Sequence, residues 1–167
     1  RFMPISIFII VTNHQYMNIN LEKFIDKDFD WQLNYGYPQN KFYTNNNTEL
    51  FQCFDNAPTP LLDFAKKTFL KYSITMIKQP PGNFIPNHVD KYYMFKKKFN
   101  ISDNDDIVRY CIFLEDWMPG QYFEVNDVPF LNWKKGDICI LKQGIYHRSA
   151  NAGDTNKYTA QITGVLK

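Results

Sequence analysis

From Ser73 onward, short apolar runs alternate with clusters of Pro, Gly, Asn and Asp. The runs SITMIKQ, IPNHVD, IVRYCIFLED, QYFEV, DICILK, IYHRSA and KYTAQITGVL carry the β-branched and aromatic residues that suit strands. PPGN, ISDNDD, MPGQ, WKKGD and NAGDT break them apart. Upstream the period changes. Leu61, Phe64, Ala65 and Phe69 fall at helical spacing behind Thr59 and Pro60. That predicts a helix with Thr59 as N-cap, Pro60 in its first turn and an end near Tyr72. Before it, YGYPQNKFYTNNNTEL is polar and rich in Asn, and reads as loop. The pattern predicts a mainly β chain with supporting helices, folded as a β-sandwich or a two-sheet jelly roll.

No repeat or Gly/Ser linker divides the 167 residues, so they are expected to form a single domain over 1–167. Residues 17–72 would supply helical and loop support, and 73–167 the β core. The apolar run Ile5 to Val11 is too short to cross a bilayer and is not followed by a small-residue cleavage site. With Met17 read as the start, residues 1–16 are expected to be a non-native extension, and His14 within them receives no role.

Composition narrows the function classes. A net charge of +2 gives no electrostatic footprint for nucleic acid or a membrane surface. Cys53, Cys111 and Cys139 are odd in number and lack CxxC spacing. Cys111 and Cys139 lie in apolar strand-like runs, as buried free thiols do, which points to a reducing, cytoplasmic location. Richness in Asn, Lys, Ile and Tyr suggests an AT-rich genome of the kind found in phages and marine microbes.

Candidate chemistry begins at His88 and Asp90 in PNHVDKYYMF. On a strand the two would share a face, because side chains alternate. The other histidine of the β-rich half is His147, with 56 residues between it and Asp90. Two imidazoles and one carboxylate form a facial set that leaves positions open on iron. A structural zinc site would want four protein ligands, whereas catalytic zinc remains an alternative. After His147, NAGDT reads as the turn of a β-hairpin, which would set Thr159 roughly opposite His147, with Lys157 on the same face. A cation and a hydroxyl beside a metal suit the far carboxylate of a chelating dicarboxylate.

The motif His88-x-Asp90, distal His147, then Lys157 and Thr159 resembles that of the Fe(II)/2-oxoglutarate-dependent dioxygenases. The resemblance covers Ser73 to Lys167, and IPNHVD, VRYCIFLEDW and WKKGDICILKQGIYH are similar to prolyl and aspartyl/asparaginyl hydroxylase domains and their phage-encoded relatives. It implies a double-stranded β-helix, a cupin-like jelly roll. It also implies Fe(II) on His88, Asp90 and His147, with 2-oxoglutarate held by Lys157 and Thr159 where many relatives use Arg. Arg109, a charge in an apolar strand, lies either at the strand's exposed start or turned inward to a partner; by the resemblance, that partner would be this co-substrate. The implied reaction takes O2, with ascorbate as an accessory reductant, and hydroxylates a peptidyl side chain or small molecule while releasing succinate and CO2. Two other readings stand beside it: a non-catalytic jelly-roll binding module, and a cupin-like metal dioxygenase that does not use 2-oxoglutarate. Partners are then a peptide, protein or small-molecule substrate, with neither nucleic acid nor membrane, and the sequence does not give the oligomeric state.

Several neighbours have a bland reading and a functional one. KYYMFKKKFN is either a solvated surface loop or a lid gripping an acidic or peptide substrate. Trp117, Tyr122 and Phe123 either line a substrate pocket or fill the core. Tyr110 is expected in the core, Arg148 on the face away from the metal, and Asn151 as the cap of the NAGDT turn.

Overall fold

The computed structural model describes residues 57–102 and 105–167 in full and, upstream, the backbone of three short strands. These are β1 (Ile10–Val11), β2 (Gln32–Leu33) and β3 (Glu49–Cys53). Helix α1 (Thr59–Thr68) and strand β4 (Phe69–Gln79) follow. Next come β5 (Asn83–His88), helix α2 (Tyr93–Phe99), β6 (Ile107–Phe113), β7 (Gln121–Val125) and β8 (Val128–Phe130). β9 (Ile138–Lys142), β10 (His147–Asn151) and β11 (Lys157–Leu166) complete the order.

The strands form two antiparallel sheets, one ordered β1-β9-β6-β11-β4-β3-β2 and the other β5-β10-β7-β8. Successive strands repeatedly change sheet, and the fold is a double-stranded β-helix. Alternation along β11 shows how the layers arise. Ala160 and Ile162 point outward and are covered by Leu61 and Ala65 of α1, together with Ile74, Met76 and Ile112. Lys157, Thr159, Gln161 and Thr163 point the other way, between the sheets. There a second core holds Phe113, Phe123, Trp133 and Leu141, with Phe113 stacked on Trp133 at 4.3 Å between ring centroids. No helix among the described residues is long and apolar enough to cross a membrane.

All seven predicted strands form. The helix differs at both ends. Thr59 is already its first residue, Pro58 is the cap, and no side chain caps it. It stops at Thr68 because Phe69 is extended (φ −118°, ψ 146°) and begins β4, which pairs along its length with β11. Phe69 is buried, as its helical spacing suggested, but it is buried from a strand. Residues 49–53, partly assigned to loop, pair with β4 instead.

The predicted hairpin between β10 and β11 does not form. β10 pairs with β5 and β7 in the small sheet, whereas β11 pairs with β4 and β6 in the large one. NAGDT is therefore a crossing between sheets. Asn151 does cap it: its Oδ1 accepts from the Gly153 N–H at 3.2 Å, and its Nδ2 donates to the Thr155 carbonyl at 2.7 Å. Gly120 of the MPG turn packs backbone against backbone on this crossing. A Cβ there would sit 2.4 Å from Gly153 N, and Gly120 has φ +88°. Gly120→Ala is expected to cost about 2–3 kcal/mol, through strain and clash together. Thermal melting should show a fall of roughly 5–10 °C.

Candidate metal centre

β5 and β10 are neighbours in the small sheet, and His147 is the register partner of His88. Their imidazole centroids lie 4.3 Å apart. The ladder slips between His147 and Ser149, a local irregularity of the kind that re-aims a side chain at a site. Asp90, two residues past His88 and beyond the end of β5, returns its carboxylate to both rings. Oδ1 is 3.7 Å from His88 Nε2, and Oδ2 is 3.4 Å from His147 Nε2. One donor atom from each residue lies within 4.8 Å of the others.

The ring orientations are set from behind. His88 Nδ1 lies 2.7 Å from the Pro86 carbonyl and His147 Nδ1 lies 3.1 Å from that of Ile145. A carbonyl only accepts, so each Nδ1 carries a proton and each Nε2 is the nitrogen turned toward Asp90. Burial lowers the His147 pKa to about 4, the Asp90 charge opposing that shift, so the ring is neutral at pH 7. Its Nε2 is buried with no hydrogen-bond partner among the described residues. The Nε2 lone pair of His147 thus faces a carboxylate with no proton between them, and His88 Nε2 lies on the other side of that carboxylate. That arrangement is repulsive on its own and favourable around a cation, so the three side chains fit a divalent metal that takes nitrogen and oxygen donors.

Arg109 approaches from β6. Its Nη1 lies 2.6 Å from Asp90 Oδ2, its Nε donates to Thr163 Oγ1 at 2.9 Å, and its guanidinium covers the buried Tyr92 ring at 5.0 Å. The inward charge has the partner that its burial requires, and that partner is Asp90. Arg109 therefore orients the carboxylate, a contact the sequence did not reveal, because a partner that follows a strand of the facing sheet gives no local signal.

Below the histidines a pocket is lined by Ile77, Ile85, Phe123, Ser149, Thr159 and Gln161, with Cys111 at its wall. Lys157 lies at the end of the same β11 face and is 2% exposed. Its Nζ donates to the Tyr122 carbonyl and to Ser149 Oγ, each at 2.6 Å, and stands 5.1 Å over the Trp133 ring. No carboxylate among the described residues pairs with it, and burial pulls its pKa down to about 7.

The remaining expectations divide. Phe123 lines the pocket and also packs in the inner core, Trp117 packs at that core's edge, and Tyr122 points outward to Glu124. Arg148 turns away from the metal ligands and grips Glu124 through Nε at 2.6 Å. Tyr110 packs on Phe69 in the outer core. Cys111 and Cys139 are buried free thiols, register partners on β6 and β9, and burial pushes Cys139 up to about 12. Cys53 and His14 have side chains outside the described residues. KYYMFKKKFN, read as loop or lid, forms helix α2 over Tyr93–Phe99 between left-handed Tyr92 and Asn100.

No protein-family model matches the chain, and no curated protein matches it in sequence. Solved structures do match in fold. A prolyl-4-hydroxylase from Pseudomonas putida is similar with a TM-score of 0.53 at 13% identity, over 72% of this chain and 71% of that one. A protein from Photorhabdus luminescens gives 0.50 at 11% identity, over 84% and 87%. A cupin 2 conserved barrel domain protein from Salinispora arenicola gives 0.47 at 12% identity, over 83% and 87%. At these identities the likeness to the first two is one of fold, and it agrees with the double-stranded β-helix that the strand order describes.

Proposed function

We propose that this protein is an Fe(II)- and 2-oxoglutarate-dependent oxygenase that hydroxylates a peptidyl side chain or small molecule. The observation that carries the reading is Lys157. A buried ammonium with only neutral acceptors, on the inner face that carries Thr159 and lines the pocket under a His–Asp–His cluster, suits an acid bound at the metal by one end. His88, Asp90 and His147 would hold the iron, which supplies O2 activation coupled to loss of CO2 from the bound keto acid. The chain's own residues do the rest. Arg109 fixes Asp90, the Pro86 and Ile145 carbonyls fix the two imidazoles, and Thr159 with Lys157 orients the distal carboxylate. Ile77, Ile85 and Phe123 keep that pocket poor in water.

The test is anaerobic titration with Fe(II) and 2-oxoglutarate, followed by measurement of succinate after O2 is admitted. The reading expects both to bind and succinate to appear without any prime substrate. One observation favours a second reading, a metal oxygenase that does not use 2-oxoglutarate: Lys157 already has two short hydrogen bonds within the protein. Under that reading Fe(II) binds, 2-oxoglutarate does not, and no succinate forms. If neither binds, the fold serves as a non-catalytic module.

A further inference from the structure

Large side chains close along the chain to the metal cluster are left open to solvent. Tyr93 and Met94 at the start of α2 are 70% and 72% exposed, and Tyr146 is 54% exposed. Each is close to a member of the cluster by covalent geometry alone. At about 3.8 Å per residue, Tyr93 Cα lies within roughly 11 Å of Asp90 Cα, and Tyr146 adjoins His147. The next residue back from this pair, Tyr92, is buried under Arg109, which itself binds Asp90. α2 is thus anchored to the cluster at one end while its outer side chains face solvent.

The charge of this segment is one-sided. Lys91, Lys96, Lys97 and Lys98 fall within eight residues that contain no acid, in a chain whose overall charge is only +2. Lys71, on β4, joins them by donating to the Phe99 carbonyl at the end of α2. Lysines in a last helical turn favour the helix dipole, but that accounts for neither Lys91 nor the exposed Tyr93 and Met94. Exposed aromatic and Met side chains interleaved with cations match a partner that brings both apolar contacts and negative charge.

We infer that α2 and the Tyr146 rim form a docking surface for an acidic polypeptide segment, which presents one side chain to the metal cluster. This rests on the proposed oxygenase reading and deepens it: the substrate is a protein or peptide with acidic residues flanking the modified position, and not a free amino acid. An oligonucleotide would share the charge and find Tyr93 and Tyr146 to stack on, but it favours arginine forks. This segment offers Met94 and lysines, and the chain has only Arg1, Arg109 and Arg148.

The experiment is fluorescence anisotropy on metal-free protein. The probes are a labelled 15-residue Glu/Asp-rich peptide with interspersed Pro and Asn, a Lys-rich peptide of equal length, and a single-stranded oligonucleotide of equal charge. The acidic peptide should bind, weaken with added salt, and outcompete the oligonucleotide, while the Lys-rich peptide should not bind. Tyr93→Ala/Met94→Ala, which removes only exposed groups, and Lys96→Glu/Lys97→Glu should each weaken peptide binding at least tenfold. Equal or tighter binding of the oligonucleotide overturns the inference, as does absent peptide binding or binding unchanged in both variants. The metal-free format keeps the two readings apart. Succinate release by the wild type without peptide binding removes the docking surface alone, whereas peptide binding without succinate release removes the oxygenase.

Discussion

His147→Ala is expected to raise the dissociation constant for Fe(II), or for Co(II) as an air-stable stand-in, by at least about 100-fold. Disturbing a group that merely orients a ligand costs 10–100-fold, and removing the ligand itself costs more. The effect on the metal-free fold should be far smaller. The variant loses the packing of a buried ring but also loses a buried Nε2 that has no hydrogen-bond partner, so the net change is about 1 kcal/mol. The two quantities separate in a melting experiment. Metal should raise the melting temperature of the wild type, because only the folded chain assembles the three donors, and should leave that of His147→Ala in place. An equal rise in both proteins would mean that the metal sits elsewhere. Burial holds the His147 pKa down to about 4, so this ring is not what weakens the wild-type rise between pH 8 and pH 6.

How much of this was legible in the sequence differs between residues for physical reasons. Strands announce themselves through local composition, and all seven predicted runs pair in the sheets. The cluster of His88, Asp90 and His147 was legible because two of its members are two residues apart and the third is the only other histidine of the β half. What failed was everything set by long-range pairing. The NAGDT turn is read correctly as a turn, but turn chemistry does not say whether the chain reverses within a sheet or crosses to the facing one. Phe69 kept its burial and changed its element, because pairing with β11 outweighs a helical spacing at the end of a helix. Arg109 was recognisable as a charge in need of a partner, yet only the register that brings β6 beside β11 and beneath Asp90 identifies that partner. β8 was missed because three residues with Pro129 in the middle carry almost no strand signal.

Lys157→Met should move stability and ligand binding in opposite directions. Methionine matches the lysine stem in length and suits the Phe123 and Trp133 faces, so the change removes a buried ammonium without opening a cavity. Burial lowers the lysine from its ordinary 10.5 to about 7, so the unfolded chain binds the extra proton more readily across that interval. The cost of folding around the charge is therefore complete below pH 7 and fades as pH rises toward 10.5. Denaturant titrations of the wild type should gain on the order of 2–4 kcal/mol between pH 6.5 and 10 from this group, a range its two hydrogen bonds keep below the full linkage value. Lys157→Met should flatten that slope and be the more stable protein at pH 6.5. The same variant should lose 2-oxoglutarate affinity by at least about 100-fold, since an ion pair out of water is replaced by an unpaired carboxylate. 2-Oxoglutarate should also flatten the slope of the wild type, because a bound carboxylate restores the ammonium toward its usual range. A lysine kept only for packing would show the stability gain with no change in ligand binding. A lysine kept for an anion shows both, and a buried cation that weakens its own fold is then explained by what it holds.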